Sequence, residues 1–176
     1  MIICHEYEFI FLKTRKTAGT SMDIALSQFC GPDAVITPVS DGDEEIRKEL
    51  GHRGPQNYDQ WSFNIQTPSD LWKYLFFQYR KFARAGFLKH MTAKKIKERI
   101  PSRIWNDYYK FCFERNPYDK AISRYYWELA REGSDFDQDT DIFTVLNSIP
   151  NVRVSNWYIY TINDEIAVDR IGRFGN

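Results

Sequence analysis

Cysteine is scarce and scattered in this chain: Cys4, Cys30 and Cys112 are the three, and no two form a C-x-x-C pair. That pattern excludes a disulfide framework, offers no basis for a zinc site and fits a reducing compartment. Cys4 and Cys112 lie in or beside apolar runs, where a thiol is usually a buried, inert small hydrophobe. Long apolar runs are lacking too. No stretch approaches the ~18 residues of a membrane-spanning helix. Met1-Ile2-Ile3-Cys4-His5-Glu6 has no basic segment leading into a long apolar one, so no signal peptide is expected, and the cytoplasm is the expected location. Net charge is also missing, because 24 Lys and Arg balance 24 Asp and Glu. That balance excludes a bulk nucleic-acid binder while leaving room for a local basic pocket.

What is present is apolar and aromatic material. Hydrophobic residues make up 43% of the 176 positions and aromatics 16%, enough for a packed core in one domain spanning residues 1–176. Glu8 to Leu12 reads as a buried strand and Ser21 to Phe29 as a helix with Met22, Ala25, Leu26 and Phe29 on one face. Residues 31 to 66 read as irregular, with a short helix around Glu44 to Leu50. Thr67-Pro68-Ser69-Asp70 marks a helix start for Leu71 to Ala85, closed by Gly86, whose Trp72, Leu75, Phe76 and Tyr79 form a core stripe. Short helices follow at Thr92 to Ile100 and Ile104 to Tyr109. Lys110 to Glu114 reads as a second strand, and Asn116, Pro117 and Asp119 fit the cap, first and third positions of a helix running to Arg131. Asp141 to Ser148 reads as a helix, and Tyr158–Ile162 with Glu165–Val168 as a hairpin across Asn163-Asp164. Strands alternating with helices, without repeats or linkers, predict one α/β domain.

Two segments carry chemistry. Lys13-Thr14-Arg15-Lys16-Thr17-Ala18-Gly19-Thr20-Ser21 joins the first strand to the first helix. A strand, a basic loop with hydroxyls and one glycine, then a helix make a phosphate cradle: backbone N–H groups, the helix N-terminus and a lysine all favour an anion. Lys16 precedes Gly19, so the segment is a poor match to the Walker A order, in which lysine follows the last glycine. The second segment runs from Arg115 to Ser123, again from a strand into a helix. Ser123 lies eight residues after Arg115, about 12 Å along a helix axis. An arginine turned back along the helix and a serine projecting toward its N-terminus can share one phosphate.

Together these segments resemble the sulfotransferase family that uses 3′-phosphoadenosine-5′-phosphosulfate. Lys16 to Ser21 is similar to the family's 5′-phosphosulfate loop, and Arg115-Asn116-Pro117-Tyr118-Asp119-Lys120-Ala121-Ile122-Ser123-Arg124-Tyr125-Tyr126 to its 3′-phosphate segment. The match is closest to the branch holding heparan and chondroitin sulfotransferases and many bacterial members. There, a stretch like Lys89-His90-Met91-Thr92-Ala93 lies between the two, and Asp169-Arg170-Ile171-Gly172-Arg173-Phe174 resembles the Gly-Arg-Phe-Glu-Asn segment near the end. Related chains continue beyond that point, which implies a short form or a fragment, with a weaker hold on the donor. Many relatives carry proline where Arg15 stands.

The resemblance implies a P-loop-like sulfotransferase fold, a central parallel sheet flanked by helices, and metal-free transfer of a sulfuryl group to a hydroxyl, with a carbohydrate as a candidate acceptor. Lys16 would bind the 5′-phosphate and stabilise charge on the leaving nucleotide. Arg15, Thr17, Ala18, Gly19, Thr20 and Ser21 would complete the cradle, and Arg115 with Ser123 would hold the 3′-phosphate. His90 is the candidate general base, kept neutral by the helix that starts near Thr92; His52 is its rival, and His5 is read as structural. Lys94, Lys95, Lys97 and Arg99 read as a solvated face, and Asp137-x-Asp139-x-Asp141 lacks the glycine and glutamate of a calcium loop. Two other readings stand beside this one. A P-loop kinase-like phosphotransferase would need an acid at a strand end, where Glu114 is available. A degenerate nucleotide-binding module would lack activity.

Overall fold

The computed structural model describes residues 1–59, 86–131, 133–150 and 155–175. The helix expected at 71–85, its start at 67–70 and the stripe Trp72, Leu75, Phe76 and Tyr79 lie outside these residues. A mixed five-stranded sheet runs in the order β3-β1-β2-β4-β7. Its strands are β1 (Ile2–Cys4), β2 (Phe9–Phe11), β3 (Val35–Ile36), β4 (Tyr109–Arg115) and β7 (Arg170–Phe174). The helices are α1 (Gly19–Ser27), α2 (Asp41–Glu49), α3 (Ala93–Lys97), α4 (Ser102–Asp107), α5 (Pro117–Ala130), α6 (Ile142–Ser148) and α7 (Trp157–Tyr160). A small hairpin joins β5 (Thr161–Ile162) to β6 (Glu165–Ile166) across Asn163 and Asp164, both at positive φ. Among the described residues no helix is long and apolar enough to cross a membrane.

The sheet matches the expected central parallel arrangement only in part. β2, β4 and β7 are parallel neighbours, but β1 pairs antiparallel with both β2 and β3. A tight four-residue connection joins β1 to β2, and a link that short can only reverse the chain. Alternation along each strand then sorts the core into two faces. Ile3, Ile10, Leu12 and Cys112 pack with Ala93, Ile96, Ile100 and Trp105, from α3, α4 and the link between them, on one side. Ile2, Cys4 and Phe11 pack with Phe111, Phe113, Met22 and Leu26 on the other. Helices therefore cover both faces, and each fully buried large apolar side chain contributes about 1.5–3 kcal/mol.

The strand ends fix where chemistry can occur. β2 and β4 lie side by side in register Phe11↔Phe111, and Leu12 N donates to Phe111 O at 2.9 Å. The loop after β2 and the start of α5 after β4 thus emerge together at the C-terminal edge, where open α/β sheets place ligand sites. β7 lies on the far side of β4, close enough that a Cβ at Gly172 would sit 2.6 Å from the Phe113 ring. Only glycine allows that approach. Asn116 caps α5 through its side chain, accepting from Tyr118 N at 2.9 Å with Pro117 in the first turn. Asp141 caps α6 in the same way.

Other boundaries shift by a few residues. α1 begins at Gly19 rather than Ser21, α3 stops at Lys97, and Tyr109 opens β4 instead of closing a helix. The segment from Tyr158, read as strand, is one turn of helix through Tyr160 before β5 begins. Thr161 Oγ1 donates to Trp157 O at 2.7 Å and closes that turn.

Candidate functional site

The loop from Leu12 to Ala18 is held from beneath by its own side chains. Thr14 Oγ1 donates to Phe113 O at 2.5 Å and lies 2.8 Å from Thr17 Oγ1, so these two hydroxyls tie the loop to β4 rather than face a ligand. Lys13 is buried and its Nζ sits 2.7 Å from Asp23 Oδ2 and 3.1 Å from Thr20 Oγ1. Gly19 makes room for that side chain, since a Cβ there would lie 2.8 Å from Lys13 Cγ. Thr20, accepting from an ammonium, keeps its own proton for donation elsewhere. Asn156, 1% exposed, clamps the outer side of the loop. Its Oδ1 accepts from Arg15 N at 2.9 Å and its Nδ2 donates to Arg15 O at 3.1 Å. The Arg15 side chain runs to Tyr158, Nε donating to the phenol oxygen at 3.2 Å.

The upper side of the loop is the cradle. Lys16 and Ala18 both adopt left-handed backbone, at φ 59° and 52°. A non-glycine residue in that region costs about 1–3 kcal/mol and persists where the surroundings impose it. Ala18 caps α1 without a side-chain bond, and the first intrahelical bond is Met22 N to Ala18 O at 3.1 Å. The N–H groups of Gly19, Thr20 and Ser21 are therefore left without intrahelical acceptors. Alternating backbone conformations that turn successive N–H groups to one side, at a helix start, make an anion-binding concavity.

Cations gather around it. Lys16 forms no hydrogen bond or ion pair among the described residues; its Nζ stands 5.8 Å from the centroid of the Trp127 ring on α5. Partial burial, then the charges of Arg124 and Arg115, hold its ammonium below the usual lysine range. Arg115, the last residue of β4, places its guanidinium 5.5 Å from the Phe174 ring of β7. Ser123 is half-buried on α5. A lysine repelled by two arginines, against the weaker opposing charge of Glu128, is a site that gains from an anion. Lys16, Arg115, the Ala18–Ser21 backbone and the Thr20 hydroxyl are thus brought to one edge, whereas Thr17 and Arg15 have their side chains engaged in holding the loop.

His90 joins the same loop from below α3. Its Nδ1 lies 3.0 Å from Lys13 O. A carbonyl can only accept, so Nδ1 carries the proton, and Nε2 is the lone-pair nitrogen of the neutral ring. Burial first, with Arg15 and Lys13 nearby, lowers its pKa from 6.5 to about 4, against the raising effect of the Lys13 carbonyl. Neutrality was expected from the helix that follows; desolvation is the larger cause. His52 lies elsewhere, its Nδ1 2.9 Å from Ile24 O on α1. His5 packs edge-on against Tyr108 with a 2.7 Å Nδ1–Oη hydrogen bond. Glu114, the acid at the end of β4, is engaged by Lys120 Nζ at 3.1 Å and by Arg115 N. Among the described residues no group of three or more His, Cys, Asp or Glu side chains gathers as a metal site.

Several contributors carry little signal in the sequence. Asn156 and the Lys13–Asp23 pair depend on contacts across many residues, which no local spacing reports. Arg124, Trp127 and Glu128 were legible in principle as an i, i+3, i+4 set on one helix face.

The chain is 32% identical over 87 residues to an uncharacterized protein of Archaeoglobus fulgidus, a span covering 49% of this chain and 72% of that protein. The two belong to one family. No family model and no solved structure matches the chain.

Proposed function

We propose that this chain is a sulfotransferase that moves a sulfuryl group from 3′-phosphoadenosine-5′-phosphosulfate to an acceptor hydroxyl, with a P-loop-like sulfotransferase fold and a carbohydrate as the acceptor class. One observation carries the reading: Lys16, which makes no hydrogen bond or ion pair among the described residues, belongs to an uncapped, left-handed loop and is repelled by Arg124 and Arg115. That chemistry suits a ligand bearing two separate phosphoryl groups. In the reaction the acceptor oxygen forms a bond to sulfur while the bond from sulfur to the 5′-phosphate oxygen breaks. Lys16 and the N–H groups of Gly19, Thr20 and Ser21 stabilise the charge left on that phosphate, the position at which preorganised donors contribute most. Nε2 of His90 takes the acceptor's proton. Arg115 and Ser123 hold the 3′-phosphate.

The kinase-like reading loses support from the pairing of Glu114 with Lys120, which leaves that carboxylate committed. The test is transfer of radiolabelled sulfate from 3′-phosphoadenosine-5′-phosphosulfate across a panel of sugar, phenol and lipid hydroxyls. Label on a sugar acceptor, abolished by Lys16→Ala, is the expected result; no transfer to any class counts against the proposal.

A further inference from the structure

The Arg124 side chain is 7% exposed on the inner face of α5. Its Nη2 pairs with Glu128 one turn on, and its guanidinium lies 4.5 Å from the Trp127 ring. Among the described residues its Nε is buried with no hydrogen-bond partner. A buried N–H of a charged group is rarely left unpaired, because desolvation without a partner costs about 1–3 kcal/mol or more. Glu128 does not neutralise the site, since its second oxygen is held by Arg131 at 2.6 Å, leaving one carboxylate shared by two guanidiniums. The ring that carries Arg124 also carries Lys16 at 5.8 Å. Arg115 stands instead over Phe174 of β7.

We propose that Arg124 is a binding residue for the 5′-phosphate end of the nucleotide, acting with Lys16, while Arg115 serves the 3′ end. The inference rests on the sulfotransferase reading and divides its two phosphate subsites between two arginines of the same segment. Lys16 and Arg124 flank Trp127 as a pair of cations, and an anion entering the α1 cradle meets both. The repulsion that Arg124 exerts on Lys16, ahead of that from Arg115, agrees with this pairing.

Isothermal titration of the whole chain with adenosine 3′,5′-bisphosphate, adenosine 5′-monophosphate and adenosine 3′-monophosphate tests it. Arg124→Gln should weaken the bisphosphate and the 5′-monophosphate by about 10- to 100-fold and leave the 3′-monophosphate within twofold. Arg115→Gln should show the reverse pattern, and Arg124→Lys should recover part of the lost affinity. Arg131 still pairs with Glu128 in these Arg124 variants, so the carboxylate is not stranded; a melting temperature within a few degrees of the parent checks folding. Equal weakening of all three ligands by Arg124→Gln, or none, overturns the inference while the donor assignment stands. Failure of the parent chain to bind the bisphosphate overturns both.

Discussion

Lowering the pH from 7 to 4.5 should destabilise the folded protein by roughly 2–3 kcal/mol through His90 alone. The folded ring is neutral, its pKa lowered from 6.5 to about 4 by burial. As pH falls below 6.5 the unfolded chain takes up the proton first, so stability is lost across the window from 6.5 down to 4. Below 4 the folded ring protonates as well and the loss levels off. The comparison that isolates this contribution is His90→Asn. Its carboxamide can still donate to the Lys13 carbonyl but cannot titrate. Urea denaturation of both proteins at pH 7 and 4.5 should show the parent losing roughly 2–3 kcal/mol more than the variant between the two conditions. Identical acid dependence would show that His90 is not buried neutral against the loop. In the transfer reaction the same tuning should keep the acid limb of kcat/KM nearer pH 4 than 6.5, and His90→Asn should abolish turnover while retaining donor binding. Full activity in that variant would assign the base elsewhere.

Three further perturbations separate the support of the loop from its use. Lys16→Met should reduce turnover by about 100-fold or more yet leave the melting temperature equal or slightly higher, because it relieves repulsion from Arg124 and Arg115; a marked destabilisation would make Lys16 structural. Gly19→Ala gains less than the about 1 kcal/mol of a helix-interior position, since Gly19 opens α1, and the new methyl meets Lys13 Cγ at 2.8 Å, so overpacking of about 1–3 kcal/mol should win. Chemical denaturation showing the alanine variant more stable would contradict that packing. Asn156→Ala removes both bonds to the Arg15 backbone and should cost about 2–4 kcal/mol, read as a shift in urea midpoint. A change under half a kcal/mol would mean that the loop holds itself.

The strand–loop–helix units at residues 9–27 and 109–130 were legible because their signals are local. Apolar runs end at basic loops, and Asn116-Pro117 sets a helix start that cap chemistry dictates. β1 and β3 were not read as strands: β3 is two residues long, and β1, no shorter than β2, lacks the basic loop and helix that mark the end of β2. Their antiparallel pairing, and so the mixed sheet, escaped with them. The helical turn at Trp157–Tyr160 was misread because aromatic and β-branched residues favour strands when propensity decides; here the Thr161–Trp157 bond and the turn's position beside the loop decide instead. In the site, residues carrying backbone and charge could be named in advance. The division of labour could not. That Thr17 braces the loop, that Asn156 clamps Arg15, and that Lys16 and Arg124 share the Trp127 ring are facts of contact between distant segments.

The central claim is that the uncapped loop and its cations hold a nucleotide with separate 3′ and 5′ phosphoryl groups. Thermal denaturation with 3′-phosphoadenosine-5′-phosphate and with ATP at equal concentration tests it most directly. The bisphosphate should raise the melting temperature by several degrees and ATP by far less, since a ligand stabilises in proportion to its binding to the folded state. Equal shifts from both nucleotides, or none from either, would contradict the account.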